Sequence, residues 1–249
     1  MKILVANPNT STGVTDRLIA SAKLVASPGT ELLPMTASYG VPYIATRAEA
    51  AIGAAAALEM LAERRGEIDA AIVAAFGDPG LGGARELFDF PVVGMAEAAM
   101  LVACTLGRSF GIVSFSRSLE PWFAEIVAWH GLSRRCAAIR TLDESFRSID
   151  EVQEEKEAVL VELAQRIVKD NAADVVILAG APLAGLADKI KDRVDVPLVD
   201  GIQAAVVMAE GLVRIKPRKA VAGTFRRPGP KDSKGLATAL ADVIAHRGA

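Results

Sequence analysis

Carboxylates stand at three points where a predicted strand gives way to a turn or a helix. Asp78 lies in the turn 76–80, Glu97 opens the helix expected after strand 91–95, and Asp200 ends a later strand. A carboxylate that a cleft desolvates has a raised pKa and can act as a general base near neutral pH. The structural alternative is that Asp78 forms the turn and that the other two favour helix starts. Asp78 and Glu97 are therefore candidate acid-base residues, with this alternative left open.

The cysteine and histidine side chains are weaker candidates for acid-base catalysis than these carboxylates. Cys104 lies in an apolar helical stretch, where a thiol usually serves as a small core side chain. Cys136 follows two arginines that could lower the pKa of its thiol, but it lies away from the other candidates. His130 is expected at a helix carboxyl terminus with Gly131 as its cap, and neither histidine has a spacing typical of zinc ligands. We expect no metal site.

Three loops rich in glycine, proline and short polar residues follow predicted strands, at 7–13, 76–80 and 179–185. In open parallel sheets, ligands bind at the carboxyl ends of strands, where loops meet helix amino termini. The first loop could hold a carboxylate or a similar anion with backbone N–H groups and hydroxyls, or Thr10 could simply cap the helix. The candidate substrate-binding residues are Asn7, Thr10, Ser11, Phe76, Gly77, Ser114, Ser116, Gly180 and Ala181.

The elements that carry these loops come from an internal repeat. The stretch that begins at Asp69, with the later segment 91–99, recurs from Asp174 with the segment 197–205. This period is too long for a solenoid and indicates two α/β lobes of one duplicated unit. Such a duplication places a symmetric pair of strand ends across a cleft, so Ala75 and Gly180 are expected to face each other.

Short apolar runs alternate with longer amphipathic stretches along the whole chain, which predicts βαβ units and parallel sheets. Thr46 with Glu49, and Ser148 with Glu151, fit the capping box that begins a helix. We expect a first lobe of residues 1–97 plus 206–249 and a second lobe of residues 98–205. The fold class is therefore α/β, with parallel sheets and a ligand cleft between the lobes.

Composition excludes several classes of function. The net charge is −2 over 249 residues with the signs interspersed, so no nucleic-acid partner is expected. No apolar run reaches the roughly 18 residues that a membrane helix needs. Because the chain opens directly as a predicted strand and has only two cysteines, in different contexts, we expect a cytoplasmic protein without disulfides.

Four segments, in order along nearly the whole chain, carry a resemblance: 7–11, 76–86, 94–100 and 196–205. They resemble the aspartate/glutamate/hydantoin racemase superfamily, and specifically its hydantoin and allantoin racemase branch. The resemblance implies two pseudo-symmetric Rossmann-like lobes, no metal, no organic cofactor and a homo-oligomer. It also implies two-base proton exchange, in which a cysteine on each side of the cleft serves one face of the reacting carbon.

The sequence departs from this pattern at the two cysteine positions, which are Ala75 and Gly180. Neither a methyl group nor a hydrogen atom can titrate, so two-thiol racemisation through these positions is excluded. We therefore expect a racemase-like isomerase relative that acts on a small carboxylate, hydantoin-like or ureido compound by isomerisation, decarboxylation or hydrolysis with a different general base. The alternative is a catalytically silent relative that binds a small molecule.

Overall fold

Two four-stranded parallel sheets form the framework of the computed structural model, which describes residues 1–143, 145, 147–149 and 151–247. The first sheet has the order β2-β1-β3-β4 and contains β1 (Lys2–Asn7), β2 (Glu31–Thr36), β3 (Ala70–Val73) and β4 (Val92–Gly94). The second has the order β6-β5-β7-β8 and contains β5 (Phe110–Ser114), β6 (Cys136–Thr141), β7 (Val175–Leu178) and β8 (Leu198–Asp200). The identical strand order confirms the α/β fold of two repeated lobes.

Each strand is followed by a helix in both repeats. The first set is α1 (Thr12–Lys23), α2 (Arg47–Arg64), α3 (Leu81–Leu87) and α4 (Met95–Leu106). The second set is α5 (Glu120–Trp129), α6 (Val152–Asn171), α7 (Leu186–Ile190) and α8 (Gly201–Ile215). A last helix, α9 (Thr238–Ile244), packs against α2. Of the described helices, none combines the length and the apolar character needed to cross a membrane.

The strands predicted from the sequence are those buried on both faces. β3 and β7 are fully buried, and all of their residues are valine, isoleucine, leucine or alanine. The sequence did not predict β2 and β6, because both are half-exposed edge strands with mixed composition. β2 even contains Pro34, which has no backbone N–H to donate. An edge strand tolerates a proline because one of its sides makes no ladder hydrogen bonds.

Of the two capping boxes predicted from the sequence, the structure contains one and lacks the other. At α2, the Thr46 hydroxyl accepts from the Glu49 N–H at 3.2 Å and the Glu49 carboxylate accepts from the Thr46 N–H at 2.9 Å, which confirms the capping box. At α6, the N-cap is Glu151 without a side-chain bond, so the box predicted at Ser148 is wrong. The sequence matched the S-x-x-E pattern there, but the chain enters the helix three residues later.

α4 and α8, which follow the last strand of each sheet, pack against each other. One buried apolar cluster includes residues of both sheets, such as Ile72 of β3 and Ile177 of β7. A second cluster lies under α2, α3 and α9, on the first sheet only. The two sheets therefore share a core, and the loops at their carboxyl ends are held in fixed positions relative to each other.

Candidate active site

The two strand ends singled out by the internal repeat line one cavity. Ala75 follows β3 and Gly180 follows β7, at equivalent places in the two sheets. The cavity has a volume of about 30 Å3, which is room for about one or two water molecules. Its described lining residues come from both repeats: Asn9, Tyr43, Ile44, Ala75, Phe76, Phe115, Leu119, Trp122, Phe123, Gly180, Ala181 and Pro182.

Aromatic side chains dominate the walls of this cavity. Five of the twelve aromatic residues in the chain line it, although aromatic residues make up only 5% of the sequence. The rings of Phe76 and Phe123, from opposite walls, have centroids 4.9 Å apart. Among the described lining residues, Tyr43 is the only one with an ionisable side chain. Within the described lining, the site therefore combines mainly apolar walls with one phenolic hydroxyl.

Two glycines allow the walls to approach this closely. Gly180 has φ 114° and ψ 137°, and a Cβ atom there would lie 2.5 Å from Cε1 of Phe115. Gly77 has φ 149°, and a Cβ atom there would overlap the indole of Trp122. Both backbone conformations are ones that L side chains rarely adopt. The Phe115 ring thus occupies the space into which a side chain at position 180 would extend.

The first loop uses its own polar groups internally. The N–H groups of Asn9, Thr10 and Ser11 donate to Asn7 Oδ1 (3.3 Å), to the Val41 carbonyl (2.9 Å) and to Asn9 Oδ1 (2.9 Å). Ser11, rather than Thr10, is the N-cap of α1, since its hydroxyl accepts from the Val14 N–H at 3.1 Å. These contacts favour capping over an anion cradle at this loop.

Asn9 is the residue of this loop that reaches the cavity, and the sequence analysis did not select it. Its amide oxygen accepts from Asn7 Nδ2 at 3.0 Å and from the Ser11 N–H. Because the oxygen is occupied in this way, the amino group is the end that can donate to a ligand. Asn7 is fully buried behind Asn9 and also donates to Thr15 Oγ1 at 3.0 Å, so it orients Asn9.

Of the remaining candidate binding residues, Phe76, Gly180 and Ala181 line the cavity. Ser114 is fully buried and donates to the Ala179 carbonyl at 2.8 Å, which ties β5 to the end of β7. The Ser116 hydroxyl pairs with Ser118 at 2.9 Å. Phe115, between the two serines, is the residue of this segment that lines the cavity. Thr10, Ser11, Gly77, Ser114 and Ser116 lie outside the described lining.

Asp78 is a helix cap rather than a wall of the cavity. Its two carboxylate oxygens accept from the N–H groups of Ala96 and Glu97 at the start of α4, each at 2.8 Å. Gly94, which precedes α4, has to be a glycine because a Cβ atom there would overlap the Asp78 carboxylate. Burial raises the pKa of Asp78, against the opposing effects of its hydrogen bonds from His130 and these two N–H groups.

Asp200 caps the corresponding helix of the second repeat from its own N-cap position. Its carboxylate accepts from the N–H groups of Ile202 (3.0 Å), Gln203 (3.2 Å) and Gly185 (2.5 Å), and from the Ser21 hydroxyl (3.2 Å). Burial raises the pKa of Asp200, although these bonds oppose it. In each repeat, therefore, a buried carboxylate caps the helix that follows the last strand of the sheet. In the first repeat it is Asp78, from the turn after β3, and in the second it is Asp200, the N-cap residue itself.

Glu97 is committed to ion pairs. Both of its oxygens pair with the Arg85 guanidinium, and Oε1 also lies 3.6 Å from Nδ1 of His130. Burial acts to raise the pKa of Glu97, but the hydrogen bonds with His130 and Arg85 outweigh it and lower the value to about 2. A carboxylate in this environment does not take up a proton at neutral pH, and Glu97 lies outside the described lining of the cavity.

The remaining reactive side chains lie elsewhere. Burial raises the pKa of the Cys136 thiol, on edge strand β6, to about 11, so the lowering suggested by its neighbouring arginines is wrong. Cys104 is a half-buried free thiol on α4. Within the described part of the chain, no group of three or more His, Cys, Asp or Glu residues could hold a metal ion.

Comparison with known proteins identifies the family. A family model described as Asp/Glu/Hydantoin racemase matches residues 3–209. A hydantoin racemase of Paenarthrobacter aurescens is 31% identical over 93% of this chain and 99% of its own. Solved structures of allantoin racemases from Klebsiella pneumoniae and Pseudomonas fluorescens are each 33% identical, with TM-scores of 0.91 and 0.87, and cover 96% and 94% of this chain and 98% and 100% of their own. The chain belongs to the Asp/Glu/hydantoin racemase family.

Proposed function

We propose that this protein is a racemase-like enzyme that binds a small hydantoin-like, ureido or carboxylate compound between its two lobes but does not racemise it by two-thiol proton exchange. The observation that carries the proposal is the pairing of Ala75 with Gly180 on one cavity whose only described ionisable side chain is Tyr43. A two-base racemase needs a titratable group on each face of the reacting carbon. Tyr43 alone can serve only one face of that carbon.

Reactions that require a proton on one face fit this arrangement. The simplest is decarboxylation of a substrate whose carboxylate lies next to a carbonyl-stabilised carbon. The C–C bond to the carboxylate breaks, CO2 leaves, and the electron pair remains on the carbon as an enolate. The Tyr43 hydroxyl then gives its proton to that carbon, and water reprotonates the tyrosinate. Apolar walls favour the first step, because they remove water from the departing carboxylate.

The substrate class is proposed from the relatives and from the polar groups around the cavity. Hydantoin and allantoin, which the names of the relatives specify, carry amide carbonyl and N–H groups. The Asn9 amino group and the backbone of the loops at Phe76 and Ala181 offer partners for such groups. Since the cavity holds about one or two water molecules, a ring-sized ligand requires its walls to separate. The loop that carries Tyr43 and Ile44 forms one of those walls.

The two tyrosines of the chain make a matched test. Tyr39 lies on the same loop as Tyr43 and is 40% exposed, outside the described lining. Wild-type protein and the variants Tyr43→Phe and Tyr39→Phe are incubated with 5-substituted hydantoins, ureido acids and 2-substituted malonates, with binding followed by calorimetry and products by NMR. We expect turnover that Tyr43→Phe abolishes and Tyr39→Phe retains, with binding preserved in both.

Each other outcome has a defined meaning. Binding without turnover by the wild-type chain would favour the catalytically silent relative. Turnover that Tyr43→Phe leaves intact would remove Tyr43 from the reaction. Failure to bind any compound of these classes would overturn the proposal.

A further inference from the structure

His130 connects the two repeats beside the cavity. It is the C-cap of α5, in the second repeat, and its side chain is only 6% exposed. Its Nε2 lies 3.2 Å from the Asp78 carboxylate and its Nδ1 lies 3.6 Å from Glu97, both in the first repeat. The rings of Trp129 and His130 are in T-shaped contact, with centroids 4.6 Å apart.

The contacts of the ring define its charge. Both nitrogen atoms face carboxylates, and an ionised carboxylate can only accept hydrogen bonds. Asp78 accepts two backbone N–H bonds, which favour its ionised form against the burial that raises its pKa, and Glu97 is held ionised by its pair with Arg85. Both ring nitrogens then have to carry protons. An imidazolium with Arg85 also balances the two carboxylate charges, which burial requires.

Asp78 and His130 belong to two elements, the turn 75–78 and α5, whose other residues form opposite walls of the cavity. Asp78 belongs to the turn that begins at Ala75, since its N–H donates to the Ala75 carbonyl at 3.1 Å. α5 carries Trp122 and Phe123, which pack against Gly77 and Phe76 of that turn. The distance between His130 and Asp78 therefore fixes the end of α5 against the turn.

We propose that His130 is a positioning residue whose charged bridge between Asp78 and Glu97 holds the aromatic wall of α5 against the turn 75–78 and so keeps the cavity narrow. The inference rests on the proposed function only in taking this cavity as the ligand site. Loss of the charge or of the ring would free α5 to move away, and the cavity would widen toward the size that a ring-shaped ligand needs.

The bridge titrates in a predictable direction. Burial acts to lower the pKa of His130, but hydrogen bonds and attraction to Asp78 and Glu97 outweigh it and raise the pKa to about 9. The charged groups that face the ring are these two carboxylates, with Arg85 behind Glu97. Because the folded-state pKa is raised, the bridge is complete below the ordinary histidine pKa of about 6.5 and is lost as the pH rises through about 9.

Trp122 reports on this movement without any substrate. In a Trp129→Phe background it is the only tryptophan, and it is 6% exposed. Acrylamide, a neutral quencher, is titrated against its fluorescence from pH 6 to 10.5 in this parent and in parent carrying His130→Gln, His246→Gln or Glu97→Gln. His246 is the matched control, since it is the only other histidine and bonds to the Pro228 carbonyl near the carboxyl terminus.

We expect the quenching constant of the parent to stay low up to about pH 8 and to rise severalfold with a midpoint near 9. His130→Gln should give the high value at every pH, with no step, and His246→Gln should match the parent. Glu97→Gln should move the midpoint to lower pH, because one attraction is removed. A parent without a step near pH 9, or a His130→Gln protein that matches His246→Gln, would overturn the proposal. The parent curve requires no variant at His130, so a folding defect in His130→Gln leaves the test intact.

Discussion

Adding a single methyl group at position 180 is expected to destabilise the protein by about 2 to 6 kcal/mol. Gly180 has φ 114° and ψ 137°, and forcing an L residue into such a region costs roughly 1 to 3 kcal/mol. The new Cβ would also lie 2.5 Å from Cε1 of Phe115, and overpacking of this kind costs about 1 to 3 kcal/mol. The two costs arise from different contacts and add.

The collision can be separated from the backbone strain by a double-mutant cycle. Phe115→Ala alone should cost about 3 to 5 kcal/mol, because Phe115 is buried. In the double variant with Gly180→Ala the collision is absent, so the total should fall below the sum of the single effects by about 1 to 3 kcal/mol. Urea unfolding followed by circular dichroism measures the free energy of unfolding of the wild-type protein, the two single variants and the double variant.

Gly29→Ala is the matched control for this cycle. Gly29 has φ 86°, and a Cβ atom there would have no heavy atom within 4 Å, so its cost should be strain alone and should add to that of Phe115→Ala. If Gly180→Ala and Phe115→Ala are also additive, Phe115 does not fill the space beside Gly180. The same reasoning predicts that Ala75→Cys with Gly180→Cys gains racemase activity more readily when Phe115 is also truncated.

Three further substitutions test the buried carboxylates. Asp200→Ala should cost about 2 to 4 kcal/mol in urea unfolding, because it leaves buried N–H groups without an acceptor. Gly94→Ala should cost about 1 to 3 kcal/mol in the same assay, since its Cβ atom overlaps the Asp78 carboxylate. The pKa of Glu97 is lowered to about 2, so its contribution is present above the unfolded value and is lost as the pH falls through about 2. Glu97→Gln should therefore flatten the decline in Tm below pH 5, and an unchanged slope would show that Glu97 does not stabilise the fold through its pairs with Arg85 and His130.

The fold could be predicted from the sequence because duplication and burial leave clear patterns. The runs at Ala70–Val73 and Val175–Leu178 are buried on both faces, so their apolar character is continuous. Edge strands such as Glu31–Thr36 are exposed on one side and carry no such pattern. The repeat also located both ends of the cavity, because equivalent strand ends in a duplicated fold meet at equivalent places.

The walls of the cavity could not be predicted in the same way. Phe115, Trp122 and Phe123 look like ordinary core residues in the sequence, and only the packing of α5 against the turn after β3 brings them to the cavity. The contact between His130 and Asp78 joins residues 52 positions apart and has no local signature. Asn9 differs, since the sequence directs attention to its loop but does not distinguish Asn9, which lines the cavity, from Asn7, which is buried behind it.

The fate of a substrate's stereocentre in the presence of the unmodified protein shows whether two-base racemisation is absent. Enantiopure allantoin, 5-substituted hydantoins, aspartate and glutamate are incubated with it in D2O, and chiral chromatography and NMR follow inversion and Cα–H exchange. We expect no measurable inversion, since Ala75 and Gly180 cannot exchange a proton on either face of the carbon. Racemisation that survives the replacement of both Cys104 and Cys136 would contradict this expectation, because it would show that other side chains serve both faces of the reacting carbon.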